Sequence, residues 1–200
     1  MSKTRDEALQ YSASGHEFIR SLLAGTQFPA SPRNDLVYGY VALVLEHQNA
    51  IVNLIRLNLV GSALALLRPQ VETAFRGLWT NLIASDEQIA AIGQSGEGPF
   101  PRFRKMAEEL DTRYSARGWL LGFADDWKTL NGFTHSGLEQ LGRRFRSDGN
   151  IASNYTEEVV SGLATNSGTL SIGMIALILH AIHLNDKAKA LEDWLAASQG

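Results

Sequence analysis

The stretch YVALVLEHQNAIVNL, residues 40–54, decides how the chain is read. Tyr40, Val44, His47, Ile51 and Leu54 recur at steps of four, three, four and three. That spacing is the seam of an α-helix laid against other helices, here with a histidine at one of its core positions. The same line continues to Asn58, with Leu57 beside it, so the seam turns polar near its end. Gly61 and Ser62 are expected to break the helix.

Working outward, helical periodicity dominates in both directions. Thr4 and Glu7 have the spacing of a capping box. Ala8, Tyr11, Gly15, Phe18, Ile19 and Leu22 then fall on one helix face. Ser31 before Pro32 reads as an N-cap followed by proline at the first helical position. A third helix is expected from Ala63 to Ile83, with Leu64, Leu67, Val71, Phe75, Leu78 and Leu82 on its apolar line. Pro69 lies inside it and predicts a kink or a later true start.

Beyond that, GQSGEGPFP (residues 93–101) is the clearest loop. Helical pattern resumes from Arg102 to Tyr114 and from Trp119 through Leu130. Asn154 with Glu157 is expected to cap a long C-terminal helical region, in which ATNSG, Gly168, Gly173 and Asn185-Asp186 are weak points. No run of alternating β-branched residues is long enough for a strand, and no internal repeat occurs. The expectation is a single all-α domain over residues 1–200: a bundle of five to seven helices with an up-and-down core and a kinked third helix.

Composition narrows the function classes. Apolar residues are 44% of the chain and charged residues 20%, with a formal net charge of −3. Nothing global draws such a chain to nucleic acid or an anionic membrane, and no DNA signal is present. With no cysteine, thiolate metal sites and cysteine nucleophiles are excluded. The charged start MSKTRDEALQ has no apolar signal core. The most apolar run, LSIGMIALILHAIHL (residues 170–184), is shorter than the ~20 residues of a membrane span and carries two histidines. A cytoplasmic protein that does not enter a membrane is expected. No phosphate loop, nucleophile elbow or zinc-helix motif occurs, and no cofactor is expected.

The candidate chemistry lies in three places. In WKTLNGFTHSGLEQLGRR (residues 127–144), a continuous helix would align Asn131, His135, Glu139 and Arg143 in one stripe. The favoured reading breaks the helix there. Ser136 and Glu139 have capping-box spacing and Gly132 and Gly137 weaken the helix, so a new one would start near Gly137 with Leu138, Leu141 and Phe145 as its apolar face. Asn131 and His135 are then left at a bend, where the imidazole either satisfies a carbonyl or faces a cleft.

In the third helix the only charges are Arg68, Glu72 and Arg76, at four-residue spacing. They form either a solvent stripe of ion pairs or, on a mostly buried helix, a paired interior line. An interior Arg-Glu-Arg line beside a histidine is a way to hold an anionic ligand. The third place is His47, His180 and His183, which a helical bundle could converge on a single metal ion; buried histidines bonded to backbone are the alternative. A basic face from Arg102, Arg104, Lys105, Arg113 and Arg117 with Arg143, Arg144 and Arg146 could meet RNA, although Glu108, Glu109 and Asp111 dilute it.

The segments LALLRPQVETAFRGLW and LNGFTHSGLEQLGRR resemble the two signature segments of an uncharacterised family of bacterial helical proteins. The matching residues are Arg68, Pro69, Glu72, Thr134, His135 and Gly137. That family is loosely similar to the HEPN-type helical domains of toxin and phage-defence ribonucleases. In those domains an arginine on the same helix shortly before a histidine holds phosphate, while the histidine assists cleavage by the 2′-hydroxyl. The corresponding window before His135 holds Lys128, Thr129 and Leu130, so Arg68 from another helix would have to replace that arginine.

Three expectations follow. The first is a homodimeric helical protein with a pocket of Arg68, Glu72, Asn131 and His135 that binds nucleotide or RNA in a stress or defence setting, as a weak HEPN-like ribonuclease. There Arg68 would hold the anion, Glu72 would orient Arg68 or His135, and His135 would act as donor or base. The second is a non-catalytic interaction module whose Tyr40–Leu54 and Leu170–Leu184 seams serve dimerisation or a partner. The third is a metal-dependent hydrolase or transferase using His47, His180 and His183.

Overall fold

The computed structural model describes residues 3–92, 98–135, 137–145, 150–151 and 153–198, the side chain of Glu139 excepted. Ten helices form among them: α1 (Arg5–Leu23), α2 (Pro32–Arg56), α3 (Val60–Leu82), α4 (Asp86–Ile92), α5 (Phe103–Arg113), α6 (Trp119–Asp125), α7 (Trp127–Thr134), α8 (Leu138–Gly142), α9 (Glu157–Ala181) and α10 (Asn185–Ala197). The fold is all-α, with more helices than periodicity predicts. A short α4 follows Ser85, the Trp119–Leu130 pattern splits at Asp126, and the C-terminal region turns at residues 182–184.

Helix starts follow the sequence signals in part. Thr4 and Glu7 close a full capping box, and Ser31 accepts from the Asn34 N–H with Pro32 in the first turn. The cap of α9 is Thr156 rather than Asn154; its hydroxyl accepts from the Val159 N–H. Helix ends use an unexpected device. At α2, α5 and α9 the chain leaves through a left-handed non-glycine residue, Asn58 (φ 59), Ser115 (φ 53) and His183 (φ 64) respectively. At each, two backbone bonds close the last turn; at α2 they run from Asn58 to Ile55 and from Leu59 to Leu54. The break between α2 and α3 therefore lies at Asn58, and Gly61 and Ser62 sit in the first turn of α3.

Cations fix the helix directions. Arg5 at the start of α1 donates to the Ile55 carbonyl near the end of α2 at 2.6 Å. Arg33 at the start of α2 donates to the Thr80 carbonyl near the end of α3 at 2.7 Å, and Lys187 of α10 to the Leu22 carbonyl of α1 at 2.6 Å. Each places positive charge where unpaired carbonyls gather. The first three helices consequently run up, down and up. α9 then returns parallel to α1 and α3, with α4–α8 forming the crossover.

α9 is the axle of the bundle. Small residues let its neighbours close in: a Cβ at Gly168 would stand 3.1 Å from the Ser12 backbone of α1. Gln70 of α3, fully buried, spends its amide on the Ser167 carbonyl at 3.1 Å and the Ser171 hydroxyl at 3.0 Å, while accepting from the Ser167 hydroxyl at 2.8 Å. Its most apolar window has the length and hydropathy of a membrane span, but 67% of that window is buried inside the bundle. The apolar face of α2 is turned relative to the expected seam. Val37, Val44, Gln48, Ile51, Val52 and Ile55 are buried, and Tyr40, His47 and Leu54 are half-buried. Both seams expected to serve dimerisation thus lie largely within the core of this chain.

α3 passes through Pro69 without interruption, beginning well before it. Proline has no N–H to return to the carbonyl four residues earlier, which is that of Ala65. The Thr134 hydroxyl of α7 takes up this carbonyl at 3.3 Å, sharing its proton with the Leu130 carbonyl at 3.0 Å. The gap left by Pro69 is thereby a docking point for the end of α7.

Candidate functional site

That docking point brings the two motif segments together. α7 ends at Thr134 and α8 begins at Leu138, so the chain bends where the glycines predict. His135 is the C-cap of α7 and exposed. Its Nε2 lies 3.3 Å from Nη1 of Arg68. A guanidinium has no acceptor and stays protonated. Nε2 therefore carries the lone pair in this contact, and the ring proton resides on Nδ1. In this contact Nε2 is engaged by Arg68, and Nδ1 carries the ring's N–H.

Behind the histidine stands a charge ladder on α3. Glu72 is ion-paired with Arg68 at 3.5 Å on one side and accepts from Arg76 at 2.5 Å on the other. Among the described residues one carboxylate answers two guanidiniums, which leaves the ladder one positive charge in surplus. The side chains are 23% (Arg68), 27% (Glu72) and 36% (Arg76) exposed, between the solvent stripe and the interior line that the sequence allows. Aromatic rings carry both arginines. The Arg68 guanidinium sits 5.0 Å from the Trp127 ring centroid, and Arg76 sits 4.8 Å from that of Phe100. Trp127 stacks on Phe103 at 3.7 Å, and Phe103 packs on the fully buried Phe75. Such cation–π contacts contribute about 0.5–2 kcal/mol, depending on desolvation.

Asn131, half-buried one turn before His135, completes the set. Its Oδ1 and the Nε of Arg68 are buried without a partner among the described residues. Polar atoms in that state cost stability unless something meets them, and they mark the α3–α7 seam as polar and unfinished.

The structure thus brings Arg68, Glu72 and His135 to one place, with Asn131 on the same α7 face. Sequence reasoning missed Trp127 and the aromatic support of both arginines. The four-residue step from Asn131 to His135, carried one step backwards, reaches Trp127. It also missed that Pro69 and Thr134 work as a pair.

Other expectations are corrected. His180 does not meet His47; its ring nitrogens face Asn185 Oδ1 at 3.1 Å and Glu192 Oε1 at 2.9 Å. His183 shapes the α9–α10 turn. No group of three or more metal-binding side chains converges among the described residues. Burial holds the His47 imidazole below its ordinary pKa. The apolar residues of α8 do not enter the core: Leu138 is 82% and Leu141 51% exposed, with Phe145 at 55% just beyond. The expected capping pair Ser136 and Glu139 lies outside the described residues and side chains, as does Arg146 of the basic face. Arg104 of that face is ion-paired to Asp125 and Lys105 to Glu109.

A family model described as a family of unknown function, DUF6988, matches residues 41–198, which includes every residue of this site. Comparison with curated proteins and with solved structures yields no match.

Proposed function

This chain belongs to the DUF6988 family, and we propose that it binds a phosphate-bearing ligand, RNA or a nucleotide, at the Arg68–His135 pair. The observation that carries the reading is the 3.3 Å contact of an exposed histidine with an arginine whose carboxylate partner is shared with Arg76. A phosphate supplies the negative charge that the ladder lacks, and Arg68 is pre-oriented for it by Trp127. Phosphate oxygens accepting from Nη1 would release His135 Nε2. The freed lone pair is then placed to take a proton from a ribose 2′-hydroxyl, the step that HEPN-like ribonucleases use. The two motif segments resemble an uncharacterised helical family that is itself loosely similar to HEPN-type domains, and that resemblance motivates an intracellular defence or stress setting.

The test is binding and cleavage of short single-stranded RNA at fixed salt by the wild type and by His135→Ala and Arg68→Lys. Both variants should bind at least tenfold more weakly at unchanged melting temperature, and any cleavage should vanish in His135→Ala. Wild-type-like RNA binding by both would refute the assignment.

A second reading is favoured by one observation. Leu138, Leu141, Phe145 and Ile151 expose their side chains on the segment that carries α8, an arrangement typical of an interaction surface. In that reading the protein is a homodimeric module without catalysis. Light scattering of the wild type against Leu138→Glu and Phe145→Glu distinguishes it: a dimer that dissociates in the variants supports it, and a wild-type monomer removes it.

A further inference from the structure

A hollow of about 430 Å³ opens between α9, α10 and the turn that joins α5 to α6, lined by Tyr114, Trp119, Gly173, Leu177, Glu192 and Leu195 among others. Its size falls in the range of small-molecule sites, about 300–1,000 Å³.

The walls are held in place. In the joining turn Ser115, Arg117 and Gly118 all take left-handed backbone conformations, with φ of 53, 53 and 86. The Asp111 carboxylate fixes that turn by accepting from the Gly118 N–H at 2.9 Å and the Leu120 N–H at 3.2 Å. The Tyr114 hydroxyl is engaged inward with the Leu78 carbonyl and Asn81. The Trp119 ring lies so close to α9 that a Cβ at Gly173 would stand 2.7 Å from it. Glycine at that position lets the indole form a wall.

Glu192 is the one charged side chain among the described residues that line this hollow. Glu192 contributes a carboxylate, and no lysine, arginine or histidine is among the lining residues. One Glu192 oxygen accepts from His180 Nε2 at 2.9 Å, but a carboxylate has room for further donors. Two aromatic rings, which attract cations, stand in the same lining. An acid entering here would meet the Glu192 carboxylate with no cation in the described lining to hold it, the neighbouring His180 being already engaged with Glu192. An amine would place its apolar body on the walls and its ammonium at the rim.

We propose that this hollow binds a small apolar ammonium compound, an aryl- or alkylamine, with its hydrocarbon body between Trp119, Leu177 and Leu195 and its charged head at Glu192. The site is independent of the Arg68–His135 pair.

Calorimetric titration with phenylbutylamine, phenylbutanol and phenylbutyrate tests it, since the three share one apolar body. The amine should bind once per chain and several-fold more tightly than the alcohol, and the acid should not bind. In Glu192→Gln the amine should fall to the affinity of the alcohol, while the alcohol is unchanged. Ala116→Trp, at the wall of the hollow, should abolish both. The acid binding as well as the amine, no loss in Glu192→Gln, or no saturable binding of the amine would each overturn the proposal. Should Ala116→Trp fail to fold, the headgroup comparison and Glu192→Gln decide it alone.

Discussion

Arg68 and His135, sixty-seven residues apart in the chain, meet at 3.3 Å on the seam between α3 and α7. The two residues are not equivalent as targets. Arg68 lies against Trp127 and shares Glu72 with Arg76, so Arg68→Ala removes packing as well as charge. It should cost about 1–2 kcal/mol of stability from the lost cation–π and ion-pair contacts. His135 is exposed at a helix end, and His135→Ala should stay within about 0.5 kcal/mol of wild type. Urea denaturation of the two variants checks this; equal losses would mean that His135 is held as tightly as Arg68.

The Pro69–Thr134 pair predicts a coupling. Thr134→Val removes the donor to the Ala65 carbonyl and should cost about 0.5–1.5 kcal/mol. In Pro69→Ala the new N–H supplies that carbonyl from within α3, so the same Thr134→Val change should cost clearly less. A double-mutant cycle measures the difference. Strictly additive losses would show that Thr134 does not serve the carbonyl freed by proline.

Gln70 is the polar lock between α3 and α9. Gln70→Ala leaves the hydroxyl of Ser167 without its buried acceptor and opens a cavity, for a combined loss of about 2–4 kcal/mol. Thermal unfolding followed by circular dichroism should show the drop. A variant as stable as wild type would mean that the serines of α9 repartner freely.

The His180 clamp predicts a pH dependence. Asn185 first and Glu192 second hold the imidazolium and raise its pKa above the ordinary value. A raised folded-state pKa means that the stabilisation is fully present below about 6.5, the unfolded value, and fades as pH rises through the folded one. His180→Gln should therefore lose stability against the wild type at acid pH and converge with it at alkaline pH. The side chain is 40% exposed, so the difference should be small and reduced by salt. A constant difference across pH would contradict the clamp.

Particular elements show how much of this was legible in the sequence. The capping box at Thr4 and Glu7 and the Ser31-Pro32 start are local signals, and local chemistry fulfils them. The break before α8 was legible for the same reason, since glycines weaken a helix whatever surrounds it. The rotation of α2 was not. His47 and Gln48 are neighbours, and packing on α1 buries Gln48, whose amide reaches the Ser12 carbonyl at 2.9 Å. Left-handed exits at Asn58, Ser115 and His183 were hidden because only a few per cent of non-glycine residues adopt that conformation, and even asparagine and histidine, which do so more often, give no signal of where. At the site, the Arg68–Glu72–Arg76 spacing was visible but its partners were not. A periodic line states which residues share a face; it does not state which later helix arrives to cover it.

The central claim is that Arg68 holds His135 through Nε2 until a phosphate takes its place. Nitrogen NMR of the imidazole side chains, with and without a short RNA, tests this most directly. The free protein should show His135 with its proton on Nδ1 and an unprotonated, hydrogen-bonded Nε2, and added RNA should move the His135 resonances while leaving those of His47 and His180 in place. A His135 spectrum indifferent to RNA, or one that is the same in Arg68→Lys as in wild type, would contradict the account.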